Sequence, residues 1–283
     1  MRNTRRPHPS AWLTLVGFYL VLLAAVLFVL VPFLWGLSTS LKSPQEVLAT
    51  TPHWIPEHID FGNYGRGLLS EKFLRFMGNS LLAVIGALIV SLTLAVHAAY
   101  ACARLRFRGK DLLLFLLWST IMIPTVAIIV PLYLLSVNLQ VYDTRFAVIA
   151  AYSAMLVPTL IWLLRGFIDS LPGELEESAL VDGCSPVKMF YVIVLPLLRP
   201  GLAAASVLVF LTIWNDFLLA FSLTLRDENR LLQVGLHSYV TEAGIEWGPL
   251  MAATIGSTLP VVIAFAFLQR LFIQGLTGGA VKG

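Results

Sequence analysis

The 283-residue sequence predicts an all-α, polytopic membrane protein with six transmembrane helices. Two observations carry that reading. Apolar residues make up 58% of the chain and charged residues 12%, less than half of the roughly 25% charge of an ordinary soluble domain. Residues 7–41, 76–103, 112–142, 146–164 and 247–269 contain no Asp, Glu, Lys or Arg, and each stretch reaches the roughly 18 residues at which a spanning helix becomes the default. A sixth stretch, 200–225, is interrupted only by Asp216 and would extend about 39 Å as a helix, enough to cross with some tilt.

Residues 1–10 form a basic tail with Arg2, Arg5 and Arg6. Span one follows over 11–37, and its apolar run is longer than the roughly 7–15 residues of a signal-peptide core, with no small-x-small site closely after it. It reads as a retained anchor. The first helix and the loop behind it occupy 11–78, and that loop carries Pro44, Pro52, Pro56, Trp54, Phe61 and Tyr64, a composition expected of an ordered extracytoplasmic segment. Spans two to six form a five-helix core over 79–273, with an inner loop at 169–199 and a Gly-rich tail at 274–283. The tail can reach a partner or simply end flexibly.

Charge sets the orientation. Arg104, Arg106, Arg108 and Lys110 fill the link between spans two and three, which by the positive-inside rule places that link and the N-terminus in the cytoplasm. With both termini inside, twelve of the 19 Lys and Arg residues are cytoplasmic. The net charge of +3 is scattered between apolar runs, so no continuous cationic face suits nucleic acid. Cys102 and Cys184, without a CxxC pattern or a nearby His, read as free thiols. Prolines at 32, 124, 131, 158 and 260 imply kinked helices; Pro124 and Pro131 either open span three toward a cavity or are tolerated bends.

The inner loop has its own helix grammar. Ser170 is placed to cap a helix that begins at Leu171-Pro172 and carries Glu174, Glu176 and Glu177 near its positive end. Asp182-Gly183 stops it, Ser185-Pro186 starts a second helix with Val187, Phe190, Tyr191 and Val194 on one face, and Pro196 is expected to end that one. Such a hairpin either seals the underside of the bundle or offers a helix to the groove of a cytoplasmic partner.

Glu177-Ser178-Ala179, then Asp182-Gly183, then Ile193-Val194-Leu195-Pro196 after nine intervening residues resembles the "EAA" signature of membrane subunits of binding-protein-dependent ABC importers. Ser178 and Cys184 depart from the usual Ala, and both are small. The resemblance covers nearly the whole chain and points to the carbohydrate-uptake branch, similar to the maltose, multiple-sugar and glycerol-phosphate importers. It includes Asn79-Ser80, Ala99-Tyr100-Ala101, Arg104-Leu105-Arg106-Phe107-Arg108-Gly109, Pro131-Leu132-Tyr133, Trp214-Asn215-Asp216-Phe217 and the ending Gly279-Ala280-Val281-Lys282-Gly283.

The resemblance implies a type I ABC importer permease-like bundle in a prokaryotic inner membrane. It implies a non-catalytic subunit that forms half of a sugar pathway with a second homologous permease subunit. Two ATP-binding subunits and an extracytoplasmic solute-binding protein complete the assembly, and ATP is used by those partners, with no cofactor on this chain. It makes the helix over 174–181 an ATPase-coupling element, with Glu174, Glu176, Glu177, Ser178, Ala179, Asp182, Gly183, Ile193 and Pro196 as its residues. The chain has no GxxxxGK[ST] phosphate loop, so a separate motor is required.

An ion-coupled secondary carrier is the alternative, but such carriers use ionisable groups inside their spans, and here only Asp216 and His97 qualify. An importer subunit for a non-carbohydrate solute and a membrane scaffold are the other readings. Trp214, Asn215 and Asp216 either line the solute path or hold span five against a neighbouring helix. His97 reads as a satisfied bundle residue.

Overall fold

The computed structural model describes residues 9–242 and 244–280. Arg2, Arg5, Arg6, Val281, Lys282 and Gly283, used above for topology and for the tail, lie outside the described residues. In chain order the elements are α1 (Pro9–Ser40), α2 (Pro44–Val47), α3 (Gly62–Arg66), α4 (Glu71–Arg104), α5 (Lys110–Ile121), α6 (Thr125–Asn138), α7 (Arg145–Asp169), α8 (Glu174–Val181) and α9 (Pro186–Met189). A π-helical turn, Phe190–Val194, leads to α10 (Leu195–Leu197), α11 (Arg199–Asn215), α12 (Leu218–Leu223) and α13 (Leu232–Leu236). The two-residue strands β1 (Val240–Thr241) and β2 (Gly244–Ile245) pair antiparallel before α14 (Trp247–Ala280).

Among the described residues four helices are long and apolar enough to cross a membrane, and six spans result if each of two bent pairs is counted as one. α5 and α6 meet at 99°, and the bend falls where Pro124 forces the residue before it out of helical geometry and donates no backbone N–H. Pro131, by contrast, sits inside α6. The second break separates Pro186–Leu197 from Arg199–Asn215 by 70°. Span five, expected to run on past Asp216, stops at Asn215 because Asp216 turns extended (ψ 131°) and its side chain caps the next helix instead.

The chain divides into two compact units. The first comprises residues up to 70 and 239–256. Its hub is the fully buried Asn63, whose amide donates to the carbonyls of Ser40 (3.0 Å) and Lys42 (2.9 Å) while its oxygen accepts from Arg66 (2.8 Å). Asn63 thereby satisfies carbonyls left open at the end of α1. Lys42 is buried too, donating to the His53 carbonyl and lying 4.5 Å from the Trp35 ring centroid. Lys42, Asp60, Arg66, Glu246 and Trp247 help line a cavity of about 460 Å³ in this unit.

The second unit comprises residues 71–238 and those from 257 on. Its core is the packing of α4 against α7. Along α4 the buried positions Ala83, Ala87, Ser91, Ala95 and Ala99 recur every fourth residue, a small-residue stripe that lets a neighbouring backbone come close. α7 answers with Val148, Leu156, Leu160, Leu164 and Ile168. Closeness is real at Gly86, where an added Cβ would stand 2.6 Å from Ile149 Cδ1. Asn79 and Ser80 lock the opposite end: Asn79 donates to the carbonyls of Glu228 (2.7 Å) and Arg230 (3.0 Å), and Ser80 Oγ accepts from Leu232 N (2.8 Å).

Asp143 clasps the α6–α7 turn to the segment behind α12. Its carboxylate accepts from Leu225 N (2.9 Å), Arg226 N (3.3 Å) and Arg226 Nε (2.5 Å), and its carbonyl accepts from Asn229 (2.6 Å). Burial pushes the carboxyl's pKa up, but these donors outweigh burial and hold it below the ordinary value. A depressed folded-state pKa means stability that is present above the ordinary carboxyl value and lost as pH falls through the depressed one. Detergent-solubilised wild type is therefore expected to melt lower as pH descends through that acid window, and Asp143→Asn to lose part of the dependence. Superimposable melting profiles for the two would show that the clasp contributes nothing.

Candidate functional site

The segment joining α7 to α11 forms α8 where the acidic run predicts it. Helix α7 runs on through Asp169 because Leu164 and Ile168 are completely buried and carry its apolar face to the end. Ser170 consequently closes α7, its hydroxyl donating to the Phe167 carbonyl (2.7 Å), and Gly173 precedes α8 without a side-chain cap. The expectation that Ser170 caps the acidic helix is thus corrected. The C-terminal prediction has a full geometric basis: Gly183 has φ +81°, Gly183 N donates to the Leu180 carbonyl (3.1 Å) and Cys184 N to the Ala179 carbonyl (2.9 Å), the paired bonds of a Schellman turn.

Ser185 caps α9, its Oγ accepting from Lys188 N (3.4 Å) with Pro186 at the first helical position. Pro196 does not end the helical path. Leu195 N reaches back five residues to the Phe190 carbonyl, and this wider turn accommodates a residue that has no N–H to give, so the chain passes through α10 before it bends.

α8 has two faces. Glu174, Glu177, Ser178 and Val181 follow the i, i+3, i+4, i+7 spacing and are all exposed, Val181 at 87%, with Asp182 exposed beside them. Glu176 and Ala179, three residues apart, are buried. Glu176 Oε1 accepts from Arg104 Nε (2.6 Å) and Oε2 from the Tyr100 hydroxyl (2.9 Å). Of the predicted coupling residues, Glu176 and Ala179 therefore face this chain's own helices, and Ile193 and Pro196 are half-buried. In the sequence Arg104 signals topology and family resemblance and Tyr100 resemblance alone; their basic and aromatic types at the end of α4 give no local hint of a partner 72 and 76 residues away.

Trp214, Asn215 and Asp216 do not form one surface. Trp214 is buried, stacked on Phe210 (5.2 Å between centroids) and donating from Nε1 to the Ser257 carbonyl (3.1 Å). Asn215 is exposed and bonds back to the Leu211 carbonyl (2.8 Å). Asp216 Oδ2 accepts from the Tyr152 hydroxyl (2.8 Å), Leu219 N (3.0 Å) and Ala220 N (3.2 Å). His97 is exposed on α4, with Nδ1 2.7 Å from the Thr93 carbonyl and Nε2 2.8 Å from the Tyr191 hydroxyl. No group of three His, Cys, Asp or Glu among the described residues is arranged to hold a metal ion.

These features define a multi-pass helical membrane protein whose connecting loop presents a moored helix. The chain belongs to the family of binding-protein-dependent transport system inner membrane components, whose pattern matches residues 91–278. It is a permease subunit of such an ABC importer, an inner-membrane protein that carries no catalysis of its own. It is 34% identical over 262 residues to the diacetylchitobiose uptake system permease protein DasC of Streptomyces coelicolor, covering 92% of this chain and 95% of that one. The trehalose transport system permease protein SugB of Mycobacterium tuberculosis is 33% identical over 90% of this chain and 93% of its own. Superposition on a bacterial ABC transporter involved in the import of the acidic polysaccharide alginate gives a TM-score of 0.80 at 25% identity, over 95% of this chain and 100% of the matched one.

Proposed function

We propose that this chain forms half of the translocation pathway of an importer for a sugar or sugar derivative and couples it to ATP hydrolysis on separate subunits through α8. The carrying observation is the division of α8 into a buried edge, Glu176 and Ala179, and an exposed face, Glu174, Glu177, Ser178, Val181 and Asp182. A short helix that shows acids and an almost fully exposed valine to the outside, while its other edge is tied to the bundle, suits insertion into a groove of a partner. The charge distribution supports placing that loop and both termini in the cytoplasm. A second homologous permease subunit, two ATP-binding subunits and an extracytoplasmic solute-binding protein complete the assembly in this reading.

Carbohydrate as the solute is supported by the chitobiose and trehalose permeases among the relatives and by the alginate transporter. An exchange between inward-facing and outward-facing bundles, driven from α8, is the mechanism this architecture supports. This chain conducts and transmits, and ATP is consumed elsewhere.

The test is a tagged purification from native membrane in mild detergent, with co-purifying subunits identified by mass, followed by uptake in proteoliposomes with the cognate binding protein. An ATPase and a second permease are expected with the wild type, and uptake competed by oligosaccharides but not by phosphate or peptides. Competition by peptide alone would move the solute out of the carbohydrate class. A chain that emerges alone and moves solute on an ion gradient would overturn the coupling role.

A further inference from the structure

The mooring of α8 identifies where a push on that helix enters the bundle. α8 leaves toward α11 through α9, the π-helical turn, the three-residue α10 and a 70° bend, a path of short pieces with changing hydrogen-bond register. Toward α4 the connection is direct. Arg104 Nε holds Glu176 Oε1 at 2.6 Å while Arg104 Nη2 donates to the carbonyls of Ile168 (3.0 Å) and Leu171 (2.9 Å) at the end of α7. Tyr100 holds the second oxygen of Glu176, and its ring lies 4.8 Å from that of Phe190 in the π-helical turn. One guanidinium thus ties together the ends of α4 and α7 and the first turn of α8, with side-chain exposures of only 22% for Arg104 and 12% for Glu176.

We propose that Arg104 and Glu176 are positioning residues that make α8 and α4 move as one body, so that motion imposed on α8 enters the bundle through α4, while the α10–α11 bend absorbs the change of angle to span five. This rests on the reading that α8 docks an ATPase. The physical basis is stiffness: a planar guanidinium with one charge-assisted bond to a carboxylate and two to backbone carbonyls, both side chains largely removed from water, resists separation more than a chain path with a proline and a π-helical turn does. α4 in turn packs along α7 through its small-residue stripe, so a displacement of its end is transmitted along its length.

The test uses the full complex in proteoliposomes with Arg104→Ala, Glu176→Ala and the double variant. The ATPase is expected to stay bound in all three, because Glu174, Glu177 and Asp182 are untouched, and hydrolysis to continue. Solute moved per ATP hydrolysed is expected to fall about tenfold in each single variant, within the range of a typical intersite coupling, and no further in the double. An unchanged ratio, or losses that multiply in the double variant, would overturn the proposal. Loss of the ATPase on Glu176→Ala would assign Glu176 to the docking face and overturn it too. Failure of the wild type to retain an ATPase would instead strike the docking reading underneath.

A second measurement leaves Arg104 and Glu176 in place. Spin labels at the exposed Leu105 and Leu175, with both native cysteines replaced by serine, report the distance from the end of α4 to α8. That distance is expected to be the same in the resting and ATP-bound complexes. A change between the two states would show that α8 slides against α4.

Discussion

Gly183→Pro is expected to abolish solute uptake while leaving the protein inserted in the membrane. The turn after α8 needs φ +81° at this position and the Gly183 N–H to hold the Leu180 carbonyl. Proline supplies neither, since its ring fixes φ near −65° and it has no N–H. A loss of about 3 kcal/mol in the competent geometry corresponds to roughly a hundredfold fewer complexes with α8 correctly presented. Gly183→Ala grades the argument: no heavy atom lies within 4 Å of the added Cβ, so only the left-handed conformation is taxed, by about 1–2 kcal/mol.

The measurements are ATPase co-purification and uptake, with Glu177→Lys beside them. Glu177 lies on the exposed face in the first turns of α8, so its reversal inverts the charge offered to the partner and sets a cation near the positive end of the helix. All three variants are expected in the membrane at wild-type level. Wild-type uptake by Gly183→Pro would sink the assignment of α8 as the coupling element.

What the sequence made legible was local. The stop of α8 at Gly183 and the restart at Ser185-Pro186 follow from capping and φ preferences that act within a few residues, and the structure reproduces them. Six apolar stretches likewise gave the helices, since hydropathy needs no partner to be read. Missed were contacts made across the chain: Arg104 with Glu176, Asp143 with Arg226, Tyr152 with Asp216, each joining residues more than sixty positions apart. Ser170 failed as a cap because burial of Ile168 carries α7 through Asp169, so Ser170 closes that helix, and α8 begins only at Glu174. The end of span five at Asn215 did have a local signal. Asp216 followed by an apolar run is also the pattern of a helix start, whereas span length alone makes such a residue an interruption of one helix.

Asp216→Ala is expected to lower the thermal stability of the solubilised protein by several degrees and to reduce uptake as a consequence. One oxygen of Asp216 serves three donors: the Tyr152 hydroxyl from α7 and the N–H groups of Leu219 and Ala220 at the start of α12. Losing a cap costs about 0.5–2 kcal/mol, and a buried hydroxyl left without its partner costs about 1–3 kcal/mol more. Tyr152 is 3% exposed, so no bulk water replaces the lost acceptor. Asp216→Asn keeps an acceptor oxygen and is expected to retain most of the stability. Tyr152→Phe removes the hydroxyl itself and is expected to cost about 1 kcal/mol in the wild-type background and much less in Asp216→Ala, where the bond is already gone. A residue that instead lined the solute path would show another pattern, with unchanged melting and a raised KM in Asp216→Ala and Asp216→Asn alike. That pattern would remove Asp216 from its place as the joint between α7, α11 and α12 and put it in contact with solute.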